Sequence, residues 1–194
     1  MVKFSVRGTE IRLSYLFAVL LTAFALTDDS GLWLWSLLFS LFHECGHILA
    51  VLLCRGHIRR LDFQPFGIAM FLDGSDFSRP QEVFILSAGC LVNLIGACCC
   101  QGSHRVIQLM ICGFNALPIG TLDGGRLSGL FLIGTLGEKR GRIAASILSF
   151  LLLGALSALG FYALFRYRRP SLLITAAYLC LTLLLKKEKL CFPV

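Results

Sequence analysis

Charge is scarce in this sequence. Only 15% of the 194 residues are charged, Asp and Glu together number 11, and 57% of the chain is apolar. A soluble domain carries about 25% charged residues, so an ordinary water-soluble globule is excluded. A disordered chain is excluded as well, because it needs high net charge and few apolar residues. Paired-cysteine chemistry is also missing. Nine cysteines are present but no Cys-x-x-Cys, and the consecutive Cys98, Cys99 and Cys100 would point roughly 100° apart on a helix. They read as small hydrophobes of apolar spans rather than as metal or disulfide partners. No internal repeat or low-complexity segment occurs, and the one loop of any size is 55–80.

What is present is long uncharged runs. Val83–Gly102 and Ile143–Phe165 each meet the roughly 20 apolar residues that a helix needs to cross a bilayer. The stretch 31–54 would do so but for His43, Glu44 and His47 within it. Leu13–Leu26 and Ser171–Leu185 are short, but flanking cations such as Arg12 and Lys186 can snorkel and extend them. The run from Val106 to Gly137 would be about 48 Å as one helix, longer than the hydrocarbon core. Pro118 with Gly120, Gly124 and Gly125 predicts a break near 118–125. Irregular backbone at that depth must be buried in protein or line a wet cavity. The expected architecture is therefore an all-α polytopic membrane protein with six transmembrane helices, the fourth broken. It forms one domain over 1–194, with a core at 31–137 and accessory helices at 12–27, 143–165 and 171–185.

The net charge of +7 does not point to nucleic acid. With the N-terminus cytoplasmic, fourteen of the eighteen cations fall on the cytoplasmic side, and Arg105, Arg166, Arg168 and Arg169 on the other. That bias obeys the positive-inside rule for a multi-pass protein of the cell membrane. A cleaved signal peptide ending near Ala23-Phe24-Ala25 competes for the first span, but the preceding Lys3, Arg7 and Arg12 favour a retained helix.

Ionisable residues within spans are functional candidates by default. His43-Glu44-Cys45-Gly46-His47 is His-Glu-x-x-His, which on a helix stacks both imidazoles on one face with Glu44 beside them. Such a pair binds Zn²⁺, and a neighbouring glutamate can act as general base in peptide hydrolysis. Catalytic zinc takes three protein ligands and an open position. His57 and His104 fall in loops at span ends, whereas Asp123 sits in the expected break and at a similar depth, which makes it the best third ligand. A helix N-cap role is the alternative for Asp123.

The His-Glu-x-x-His span followed by Asn115-Ala116-Leu117-Pro118 and Leu122-Asp123-Gly124 resembles the site-2 protease family of intramembrane zinc metalloproteases. Ala88-Gly89-Cys90-Leu91-Val92-Asn93 resembles that family's Ala-Gly-x-x-x-Asn stretch. Gln64-Pro65-Phe66-Gly67 resembles the turn of its membrane-associated β-hairpin. The resemblance implies zinc on His43, His47 and Asp123, Glu44 as base, and Asn93, Phe66 and Gly67 at the substrate. Arg60–Leu72 alternates loosely, as an edge hairpin able to pair with an unwound substrate strand would; an interfacial loop is the alternative. For Asn93 the alternative is an interhelical hydrogen bond. Thr121 stands where many members have proline, Ile68 where a second glycine is frequent, and no PDZ-like or CBS-like domain is expected.

Six spans with the motif in the second resemble the compact bacterial branch, including its sporulation protease. That likeness implies regulated intramembrane proteolysis of a membrane-tethered substrate near the cytoplasmic face, such as a sigma-factor or anti-sigma-factor precursor. The implied partners are that substrate, the lipid bilayer and a regulatory membrane protein. A silent client-binding protein of the same fold is the alternative, and a transporter or metal channel a third reading.

Overall fold

The computed structural model describes residues 2–6, 9–15, 19, 22, 26, 31–64, 67–72, 77–168 and 170–186. The chain forms two compact units, Met1–Phe114 and Asn115–Val194.

The first unit opens with β1 (Val2–Val6) and β2 (Thr9–Leu13), followed by helix α1 (Leu32–Leu53). The hairpin β3 (Ile58–Gln64) and β4 (Gly67–Leu72), then α2 (Arg79–Cys99) and α3 (Gly102–Asn115), complete it. The four strands form one sheet in the order β1-β2-β3-β4, with β2 parallel to β3 and the other pairs antiparallel. The hairpin expected between the motif helix and the next is therefore present, with Gln64 opposite Gly67, but it is half of a larger sheet. The all-α expectation is corrected to a mostly helical protein with a small sheet. Lys3 and Arg12, read in sequence as a cationic flank, stand opposite each other in the β1-β2 ladder. The Val-x-Phe-x-Val alternation of 2–6 is the strand signal that the flank reading passed over.

α1 begins at Gly31, whose φ is +69°, and its end is closed by Gly56 N–H donating 2.9 Å to Val51 O. α2 starts at a capping box in which Gln81 Oε1 accepts 2.9 Å hydrogen bonds from the Ser78 backbone N–H and hydroxyl, satisfying donors the first turn leaves open. The two helices approach through small residues. A Cβ on Gly46 would stand 2.9 Å from Ala88 O and 2.8 Å from Val92 Cγ2, the close backbone contact that small residues permit between membrane helices. Arg105 Nε donates 3.0 Å bonds to Ala97 O and Cys100 O, capping the end of α2. Cys90 and Cys112 each direct a thiol at the other's carbonyl, at 3.7 and 3.6 Å. The described cysteines are reduced thiols, in keeping with their reading as helix packing residues.

The second unit holds α4 (Asp123–Leu136), α5 (Glu138–Tyr167) and α6 (Ser171–Lys186). α3 stops at Asn115 and α4 starts at Asp123, so the interruption expected near Pro118–Gly125 falls at 116–122. Each of these two helices has 14 residues, about 21 Å, too short to cross the core alone. Three helices among the described residues are long and apolar enough to cross a membrane: α1, α2 and α5. α6 carries a shorter apolar segment, Ser171–Leu184. Of the six spans expected, the described residues thus show three of full length. The proposed first span, 12–27, lies mostly outside the described residues, although Tyr15, Val19, Thr22 and Leu26 are helical.

Candidate metal centre

The i, i+4 spacing on α1 does what helical geometry requires. His43 and His47 are 2% and 8% exposed, their ring centroids are 4.8 Å apart, and the two Nε2 atoms lie 3.2 Å from each other. On the far side of its ring, His47 Nδ1 is 2.7 Å from the Ile85 carbonyl oxygen of α2. A carbonyl only accepts, so Nδ1 carries the proton and Nε2 presents its lone pair toward His43. Metal-ligating histidines are usually held by just such a second bond. Two nitrogens 3.2 Å apart, each about 2.0–2.1 Å from one zinc, subtend about 100° at the metal, close to tetrahedral. The pair therefore fits a zinc ion.

α2 forms the wall opposite. A Cβ at Gly89 would fall 2.6 Å from His43 Nε2 and 2.7 Å from His43 Cε1, and it would also strike His47 Nε2. Only a hydrogen leaves room there. One turn further along α2, Asn93 is completely buried, and its Oδ1 and Nδ2 have no hydrogen-bond partner among the described residues. An unpaired amide in an interior is costly, and among the described residues the interhelical hydrogen bond weighed for Asn93 is not made. Glu44 follows His43 on α1 and is half-buried.

Asp123 belongs to the second unit and is the first residue of α4, with Leu122 in the cap position and no side-chain cap bond. The N-cap role is thus replaced by a place in the first turn, where the helix dipole favours a carboxylate. The preceding break is tightly organised. Ile119 N–H donates to Leu117 O and Leu122 N–H to Ile119 O, both at 2.8 Å. A Cβ on Gly124 would strike the Ala116 carbonyl, and one on Gly125 the Ile119 carbonyl, so glycine alone lets α4 start against this loop. Ile119 is 1% exposed.

The remaining expected residues are placed as follows. Gly67 opens β4 on the outer strand of the sheet, whereas Phe66 lies outside the described residues. His57 is exposed, and His104 packs edge-on against Trp35 at 4.6 Å. Sequence reasoning passed over Gly89 as a contact of the imidazoles, although its pairing with Ala88 marked a close approach. It had no means of finding the Ile85 carbonyl, because a backbone acceptor has no residue signature.

No family model and no curated protein matches the sequence. Among solved structures, the site-2 protease from Methanocaldococcus jannaschii is similar, with a TM-score of 0.64 and 20% sequence identity. The match covers 92% of this chain and 91% of that one. Over nearly its whole length, this chain has the fold of that site-2 protease.

Proposed function

We propose that this protein is a site-2-type intramembrane zinc endopeptidase in which His43, His47 and Asp123 together hold one zinc ion. The observation that carries the reading is the pair of buried Nε2 atoms 3.2 Å apart, with the His47 tautomer set by Ile85 O. The chemistry that zinc would supply when held there is Lewis acidity, toward water and toward a peptide carbonyl. Asp123 would add an anionic oxygen ligand to two neutral nitrogens, a donor set that suits a catalytic rather than a closed structural site. Glu44 takes the proton from the attacking water and returns it to the departing amide nitrogen. The unpartnered Nδ2 of Asn93 donates to the substrate's carbonyl oxygen, where negative charge develops. A helical substrate hides its carbonyls, so the substrate must unwind. The outer strand β4, which opens at Gly67, offers an edge on which it pairs, and by the sequence resemblance Phe66 would join Gly67 in contacting it.

The protein acts in the bacterial cell membrane with its N-terminus cytoplasmic. It cuts a membrane-spanning or membrane-tethered protein near the cytoplasmic face, in the manner of sigma-factor or anti-sigma-factor processing during sporulation, under a regulatory membrane partner. In detergent, cleavage of a membrane-tethered reporter should vanish with chelator and fall at least about a thousandfold in Glu44→Gln, on the scale of a positioned base. Stoichiometric client binding with no zinc by elemental analysis and no cleavage would instead identify a silent binding protein.

A further inference from the structure

Ser149 stands in the longest apolar helix, eleven residues in from Glu138, about 16 Å along its axis. It is 4% exposed. A serine inside a helix ordinarily returns its hydroxyl to the carbonyl one turn back, as Ser146 and Ser157 do on the same helix. Ser149 does this and more. Its Oγ donates 2.8 Å to Ala145 O, accepts the Gly120 N–H at 3.0 Å, and lies 3.5 Å from Pro118 O. Gly120 N–H is a donor set free by the helix break, and the Ser149 hydroxyl supplies its partner. Beyond Gly120 the chain has two residues before Asp123, and then Gly124 and Gly125 lie against the Ala116 and Ile119 carbonyls. Asp123 is thus carried between two anchors: the Ser149 hydroxyl on one side and the glycine contact on the other.

We propose that Ser149 is a positioning residue, which fixes the backbone of the break through Gly120 and thereby holds the Asp123 carboxylate in its metal-binding orientation. The inference rests on Asp123 being a zinc ligand. Alanine at 149 removes the acceptor and loosens the loop, while threonine keeps the hydroxyl.

The test is competition for zinc between the purified full-length protein and a chromophoric chelator, with melting of the metal-free protein measured in parallel. Ser149→Ala should weaken zinc binding about tenfold or more, the scale of outer-shell changes at metal sites, and Ser149→Thr should recover most of the loss. If Asp123→Ala leaves affinity unchanged, the metal site itself is wrong. If Asp123→Ala weakens binding but Ser149→Ala does not, or if Ser149→Ala only lowers the metal-free melting temperature, the positioning role is overturned and the metal site stands. Should Ser149→Ala not fold, Ser149→Cys fills the same space with a weakly bonding sulfur. Wild-type affinity in that variant would equally overturn the role, and weakened affinity supports it.

Discussion

At the scale of the residue, the site is built by what is small as much as by what is ionisable. The α1 histidines reach one point because Gly89 offers no Cβ against them, and a methyl there would meet His43 Nε2 at 2.6 Å. His47 cannot give way freely, since its Nδ1 is bonded to Ile85 O. Gly89→Ala should therefore weaken zinc binding by about tenfold or more. Its metal-free melting temperature should hold or fall, because the roughly 1 kcal/mol that alanine gains over glycine in a helix interior is offset by the about 1–3 kcal/mol cost of overpacking against the imidazoles. Chelator competition beside melting curves checks both signs, and intact zinc affinity would remove Gly89 from the site. Asn93 invites the opposite experiment. Its buried amide is unpartnered among the described residues, so Asn93→Leu, an apolar side chain of similar size, should stabilise the protein by about 1–3 kcal/mol while abolishing cleavage. That combination is the mark of a functional polar group kept at the expense of stability; a destabilised but active variant would show that Asn93 is structural. The meeting of the two histidines on one face of α1 was legible because helical spacing and apolar context are properties of the sequence. The tautomer of His47 was not, because it is set by a main-chain oxygen 38 residues away.

The scale of the element is where sequence and structure diverge most. The break after α3 was legible, since Pro118 removes a donor and glycines cluster after it. How it is closed was not, because Ser149 reaches it from 29 residues further along the chain. The same break gives a sharp stability prediction. A Cβ on Gly125 would strike the Ile119 carbonyl and the Gly120 nitrogen, backbone that is itself held by the turn bonds and by Ser149. Gly125→Ala should cost more than the roughly 1 kcal/mol that alanine gains in a helix, giving a net loss of about 1–3 kcal/mol typical of overpacking. Gly129, with nothing within 4 Å of its built Cβ, is the control, and Gly129→Ala should be neutral or stabilising. Thermal melting of the two variants decides it, and equal melting temperatures would mean that the loop yields. The sheet shows the converse failure. β3 and β4 were found by alternation around Pro65-Phe66-Gly67, but β1 and β2 were hidden, because their cations suited a membrane flank equally well. Pairing of β2 with β3 leaps from residues 10–13 to 60–63, and no local pattern encodes a parallel partner that far away.

For the whole molecule, the chief consequence of the proposed zinc site is that its ligands are distant in the chain, His43 and His47 on α1 and Asp123 at the start of α4. Anything that binds only the native state stabilises it by mass action, about 4 kcal/mol at free ligand a thousandfold above Kd. An ion held by all three ligands would stabilise α1 and the start of α4 alike, whereas one held by the histidines alone would stabilise α1. Hydrogen exchange on the full chain in detergent separates the cases. With zinc, amides of α1 and α2 and those around 116–126 should all slow. In Asp123→Ala, the slowing should be lost at 116–126, and what remains should be confined to α1 and α2. Zinc protection that never extends past Phe114 in the wild type would return Asp123 to an ordinary first-turn carboxylate and leave the histidine pair seeking its third ligand elsewhere. Protection of both segments would explain why so apolar a chain keeps His43, Glu44, His47 and Asp123 within its apolar runs and their interruption, where each uncompensated charge is expensive.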